Sequence, residues 1–191
     1  MMRTFSSFYG TRNLLLWIKG DDIMITYEQL LMEADSQNLI TKEKDLPISN
    51  GRIKGNRIAI RKDLTEKEKK CIMAEELGHY YTGNGDITDQ SFASNRKQEL
   101  LGRIHSYNRL VGLTGIIDAY RHHCHSLSES AAHLDVPEEF LQEAIAYYKG
   151  KYGVSATVDN YIIFFEPAIA VLEVNNPAAG GGAWDLKRPG G

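Results

Sequence analysis

"KKCIMAEELGHYYTGNGDITD", residues 69–89, decides how this chain is read. Thr65 and Glu68 just before it form a capping box, so a helix starts at that point. Gly83 stops it. On a helix, residues four apart share a face. Glu75 and His79 therefore project together, and Glu76 is turned about 100° away. With histidine in place of Glu75, the run Glu75-Glu76-Leu77-Gly78-His79 would read H-E-x-x-H. Three readings are open: a metal site with one unusual ligand, a metal site that has lost its chemistry, or an ordinary charged helix.

The spacing suits zinc-peptidase chemistry. The outer residues of H-E-x-x-H hold the ion, and the inner glutamate takes a proton from the attacking water. A third ligand must come from elsewhere, and Glu99 stands on the next long helix, twenty residues after His79. Two features favour a site over a plain helix. Glu75 and Glu76 fall in the last third of the helix, where acidic side chains oppose the macrodipole. Gly78 costs roughly 1 kcal/mol of helix propensity against alanine, and a small residue there lets another element approach closely.

Outward from this stretch, residues 27–38 read as a helix capped by Thr26, with Leu30, Leu31 and Ala34 on one face. "GRIKGNRIAIRKDL" (51–64) reads as a β-hairpin: Ile58 and Ile60 alternate with Arg57, Ala59 and Arg61, and Gly55-Asn56 supply the turn. In the central helix, Ile72, Leu77 and Tyr81 mark the apolar side. "GNGDITDQ" is a loop. A helix over about 93–112 follows, with Leu100, Ile104, Tyr107 and Val111 as its expected buried face. After Gly115, "IIDAYRHHC", "LSESAAHL" and "VPEEFLQEAIAYYKGKYG" read as three short helices. The last two have the cadence of a helix-turn-helix packed through Ala132, Val136 and Leu141. "NYIIFF" and "IAVLEV" are strand candidates. The Gly-, Ala- and Pro-rich stretch 175–191 reads as a disordered tail.

The composition is that of an ordinary soluble globular protein: of 191 residues, 42% are hydrophobic and 25% charged. A net charge of −3 gives no reason to expect nucleic-acid binding. Two cysteines without paired spacing, Cys71 and Cys124, point to a reducing compartment, hence the cytoplasm. "LLLWI" (14–18) is far below the roughly 20 residues that cross a bilayer, and no small-residue cleavage site follows it. Residues 1–23 read as upstream sequence translated in frame. Lys19-Gly20-Asp21 can be encoded as AAA-GGN-GAY, similar to a bacterial ribosome-binding sequence, just ahead of Met24. A disordered or docking arm is the alternative.

"IKGNRIAIRKDL", "CIMAEELGHYYTGNGDITDQ" and "NRKQELLGRIHSYNRLVG" together resemble the ImmA/IrrE family of metallopeptidases, in the branch found in prophages and mobile elements of Gram-positive bacteria. The resemblance runs from about Met24 to Val174. It implies an α+β fold: a zincin-like core of a small antiparallel sheet plus helices over 24–114, then a small helical, helix-turn-helix-like region with terminal strands over 115–174. It implies cleavage of a cI-like repressor, which derepresses phage or mobile-element genes. It places the metal ligands at Glu75, His79 and Glu99 and the general base at Glu76. Glu99 opens the family's E-x-x-A-x-x-[aromatic]-A helix, seen here as Glu99, Gly102, His105 and Ser106. The departure is Glu75, since "AEELGH" replaces "HELGH". Two carboxylates and one imidazole bring a divalent cation's charge close to zero and weaken it as a Lewis acid. Zinc is the expected ion, with manganese or iron as competitors for the harder oxygen ligands. The repressor is the expected partner. The alternative function is a non-catalytic antirepressor that binds the repressor without cutting it.

Other features read as decoys. His122, His123, Cys124 and His125 are consecutive and fan out around a helix, so they read as a solvated helix end. His105 stands at an aromatic position and reads as packing. His133 has no acidic neighbour at ligand spacing and reads as structural or exposed. The helix beginning "VPEEFLQEA" presents Glu138, Glu139 and Glu143 where a recognition helix would meet phosphates, which argues against DNA reading.

Overall fold

The computed structural model of the protein describes residues 24–83 and 92–174. The readings of 1–23, of the 84–91 loop and of the 175–191 tail lie outside the described residues. Helix α1 (Tyr27–Ser36) opens on Thr26, whose hydroxyl accepts the Gln29 N–H while the Gln29 side chain accepts the Thr26 N–H. Three short strands follow: β1 (Ile40–Lys44), β2 (Gly51–Lys54) and β3 (Arg57–Arg61). Strands β2 and β3 form the expected hairpin, turning at Gly55, which takes φ +57°. Ile58 and Ile60 bury the inner face of β3.

Strand β1 corrects the sequence reading. It pairs parallel with β3, so the sheet order is β1-β3-β2 and the sheet is mixed rather than antiparallel. "ITKEK" shows no apolar alternation because four of its five residues are exposed on an edge strand. Helices α1 and α2 contact this sheet. The outer face exposes Lys42, Lys44, Arg52, Lys54 and Arg57 around a shallow depression of about 440 Å³.

Helix α2 (Glu66–Thr82) is the hub. The Thr65–Glu68 capping box closes its start, and Gly83 ends it. It packs against α1, α3, β2 and β3. Lys70, Cys71, Met73, Ala74, Glu76, Leu77 and Gly78 are all buried. Tyr81 is not part of its apolar side: the ring is 46% exposed, and its hydroxyl donates to Glu33, 2.7 Å away.

Helix α3 (Phe92–Leu110) buries Tyr107, with Val111 just beyond it, as expected, but leaves the start of the expected face outside. Leu100 is half exposed, while Gly102, Ser106, Tyr107 and Leu110 are buried. The reason is how closely α3 lies on α2. A Cβ on Gly78 would come within 2.8 Å of both the Gly102 carbonyl oxygen and the His105 Cβ, so Gly102 and the base of His105 lie directly against α2.

Helices α4 (Gly112–Arg121), α5 (Leu127–His133) and α6 (Glu138–Tyr152) precede an antiparallel sheet of β4 (Ser155–Val158), β5 (Tyr161–Phe164) and β6 (Ala170–Glu173). Strand β4 was not read from the sequence. Asp135, at φ +52°, helps turn the chain between α5 and α6. Val136 and Leu141 pack as expected, but Ala132 points outward and Ala131 is the buried alanine. A single buried cluster runs from Tyr27 in α1 to Phe165 beyond β5. Buried Lys70 of α2 also bonds Asp135 at 2.7 Å, tying α2 to the α5–α6 turn. No described helix is long and apolar enough to cross a membrane.

Candidate metal centre

Helix periodicity places Glu75 and His79 on the side of α2 that faces α3, and α3 brings Glu99 to them. One ligand atom from each of the three lies within 4.8 Å of the others. The His79 Nε2 is 3.6 Å from a Glu99 oxygen. The Glu75 and His79 side chains are each 18% exposed and Glu99 is 54% exposed, so the group opens to solvent on the α3 side.

The donor set, two carboxylates and one imidazole, suits a divalent cation. The surroundings fit as well. A Cβ on Gly102 would lie 2.5–2.8 Å from three atoms of the His79 ring, so the absence of a side chain at Gly102 makes room for that ring. Gly78 and Gly102 together allow α3 to come close enough to supply Glu99.

Glu76 points elsewhere. It is 6% exposed and packs against β2, where a Cβ on Gly51 would meet its Oε1 at 2.6 Å. The backbone N–H of Ile53 donates to its carboxyl. Burial, then the charges of Glu75 and Glu99, push Glu76 up to about 8. Glu75 is also raised, first by burial and then by the charge of Glu99, with which it shares a hydrogen bond. Burial holds His79 below the usual imidazole range, with Glu99 acting against that shift. Burial thus disfavours the protonated imidazole of His79, the form that cannot ligate a metal.

Arg103 was missed in the sequence. Its guanidinium stands 3.6 Å from a Glu75 oxygen and 3.5 Å from a Glu99 oxygen. The signal was available: Arg103 follows Glu99 by four residues and so shares its face. It offsets part of the negative charge that Glu75 adds in place of histidine.

The decoys separate. His105 packs its ring 5.7 Å from that of Tyr81, and its Nδ1 is buried without a hydrogen-bond partner among the described residues. His123, Cys124 and His125 join no metal-capable group among the described residues. His122 and His133 do, with Asp118. His133 thus has an acidic neighbour after all, on α4, which spacing along its own helix could not show.

A family model described as IrrE N-terminal-like domain matches residues 22–156. No curated protein matches the chain.

Proposed function

The chain belongs to the IrrE N-terminal-like metallopeptidase family, and from that premise we propose that it is a metal-dependent endopeptidase that cleaves a cI-like phage or mobile-element repressor. The observation that carries the reading is the convergence of Glu75, His79 and Glu99, with the buried carboxyl of Glu76 next to Glu75 on the same helix. Zinc is the ion of choice, with manganese and iron as competitors for its two carboxylates. A divalent cation there would acidify a water and polarise the scissile carbonyl. Glu76, held by Ile53 of β2, takes the proton of the attacking water and returns it to the leaving amide nitrogen. Glu75 and Glu99 neutralise the ion's charge, and Arg103 restores a positive field on the solvent side of the site. The two free cysteines suit a cytoplasmic protein. Duplex DNA is not a partner of α6, because Glu138 and Glu139 at its start repel phosphates.

A general base typically contributes on the order of 10²- to 10⁴-fold. Glu76→Gln should therefore keep metal content and abolish repressor cleavage in cells co-expressing both proteins. His79→Ala and Glu99→Ala should lose metal and cleavage together. A second reading, the non-catalytic antirepressor, is favoured by Arg103, which gives Glu75 and Glu99 a counter-charge of their own. Full relief of repression by Glu76→Gln would establish it.

A further inference from the structure

His133 closes α5, and its Nε2 lies 2.8 Å from an oxygen of Asp118 on α4. His122, the C-cap of α4, stands near the other oxygen of the same carboxylate. Its Nδ1 is 2.9 Å from the Asp118 main-chain oxygen and 3.5 Å from Asp118 Oδ1. The two imidazoles stack, with centroids 4.4 Å apart and planes inclined by 31°. One ligand atom from each of the three side chains lies within 4.8 Å of the others.

A hydrogen-bonded Asp–His pair would account for Asp118 and His133 alone. It does not account for His122. That side chain is 57% exposed, and although its Nδ1 is held to the Asp118 main-chain oxygen, that bond does not by itself require the ring to lie against His133 and beside the carboxylate. A second observation points to a cation. Helix α4 ends at Arg121 and α5 at His133, so the carbonyl ends of two helices meet at this cluster. Helix C-termini carry partial negative charge and favour cations. Two imidazole nitrogens and one carboxylate oxygen are a donor set for zinc, cobalt, nickel or copper rather than for calcium or magnesium.

We propose that Asp118, His122 and His133 form a second binding site, for a zinc-class transition-metal ion, that staples the end of α4 to the end of α5. Three protein ligands leave a coordination position for water, so the ion exchanges with solution. Its effect is on α4 and α5, which line an apolar cavity of about 280 Å³ with α6 and β6. Bound ion holds the α4–α5 corner of that cavity together.

The test uses the full chain without a polyhistidine tag, stripped of metal by chelation, in a His79→Ala background that removes the first site. Zinc titrated calorimetrically should bind this protein at one equivalent. The stoichiometry should fall to none when His122→Ala and His133→Ala are added. His122→Ala alone should weaken binding at least tenfold, since losing a group that merely supports a ligand already costs about 10–100-fold. Its metal-free Tm should not change, because the side chain is largely exposed. Zinc at about a hundredfold over Kd should raise the Tm of the His79→Ala protein by about 5–10 °C, and this shift should vanish with the two histidines. No binding to His79→Ala, or one equivalent that survives loss of both histidines, overturns the proposal. Because His79 is absent throughout, neither result depends on whether the first site is a peptidase.

Discussion

Glu75 is the residue on which the chemistry turns. Its place four residues before His79 was legible from helix spacing, and the resemblance assigned it a ligand's role. Spacing from Glu99 put Arg103 on the right face of α3, but that its guanidinium meets Glu75 depends on how α3 lies across α2. Replacing Glu75 by histidine removes a negative charge and substitutes a softer nitrogen donor. Glu75→His should therefore tighten zinc and weaken manganese, read by competition with a chromophoric chelator. Equal changes for both ions would show that Glu75 does not ligate. Gly102 gives a second handle on the same centre. Alanine there would press on the His79 ring, the movable end of a side chain, and not on backbone. Gly102→Ala should fold with nearly unchanged stability and lose about tenfold or more in metal affinity, as expected when the support of a ligand is disturbed. A large fall in Tm with unchanged affinity would place the strain in the helix contact instead.

Elements were legible where their signals are local. The Thr65–Glu68 capping box, the Thr26 cap and the β2–β3 hairpin are written within a few consecutive residues, and each forms as read. Strand β1 could not be read that way, since an exposed edge strand of alternating charge carries no apolar pattern; only its parallel pairing with β3 defines it. Helix faces were legible only in part, for a related reason. Periodicity picks out the large apolar residues, and Tyr107 and Val111 are buried as read, but α2 and α3 meet through Gly78, Gly102 and the base of His105, and Leu100 is left outside. Gly78→Ala tests this contact. Alanine gains about 1 kcal/mol of helix propensity. Its Cβ, however, would sit 2.8 Å from the Gly102 carbonyl oxygen and 3.1 Å from its Cα, and backbone does not yield cheaply. Overpacking of this kind costs typically about 1–3 kcal/mol. The variant should lose net stability, seen as a lower urea midpoint at unchanged m-value. A stabilised variant would mean that the helices are not in close contact there.

Across the whole molecule, charged groups join elements distant in sequence. Glu33 of α1 accepts from Tyr81 of α2 and from the Arg109 guanidinium of α3, so one carboxylate clamps three helices together. Both ends of the Glu33–Arg109 pair are largely buried, at 14% and 16% exposure. Burial alone would raise the Glu33 carboxyl, but the hydrogen bonds from Arg109 and Tyr81 and the nearby positive charge of Arg109 together hold it below 4.5. His105 also faces this group and acts in the same direction. A carboxylate lowered in the folded state stabilises the protein above its unfolded pKa, and that contribution is lost as pH falls through the folded value. Glu33→Gln keeps the shape and removes the charge, leaving Arg109 without its ionic partner. At pH 7 it should cost about 2–3 kcal/mol, the scale of losing charge-assisted hydrogen bonds in a shielded place. The gap between wild type and variant should stay constant from pH 7 down to about 5 and narrow below 4.5, as protonation makes the wild type resemble the variant. Urea unfolding at a series of pH values reads this directly. A gap that instead widened toward acid would mean that the Glu33 carboxyl is raised in the folded protein, with burial outweighing Arg109.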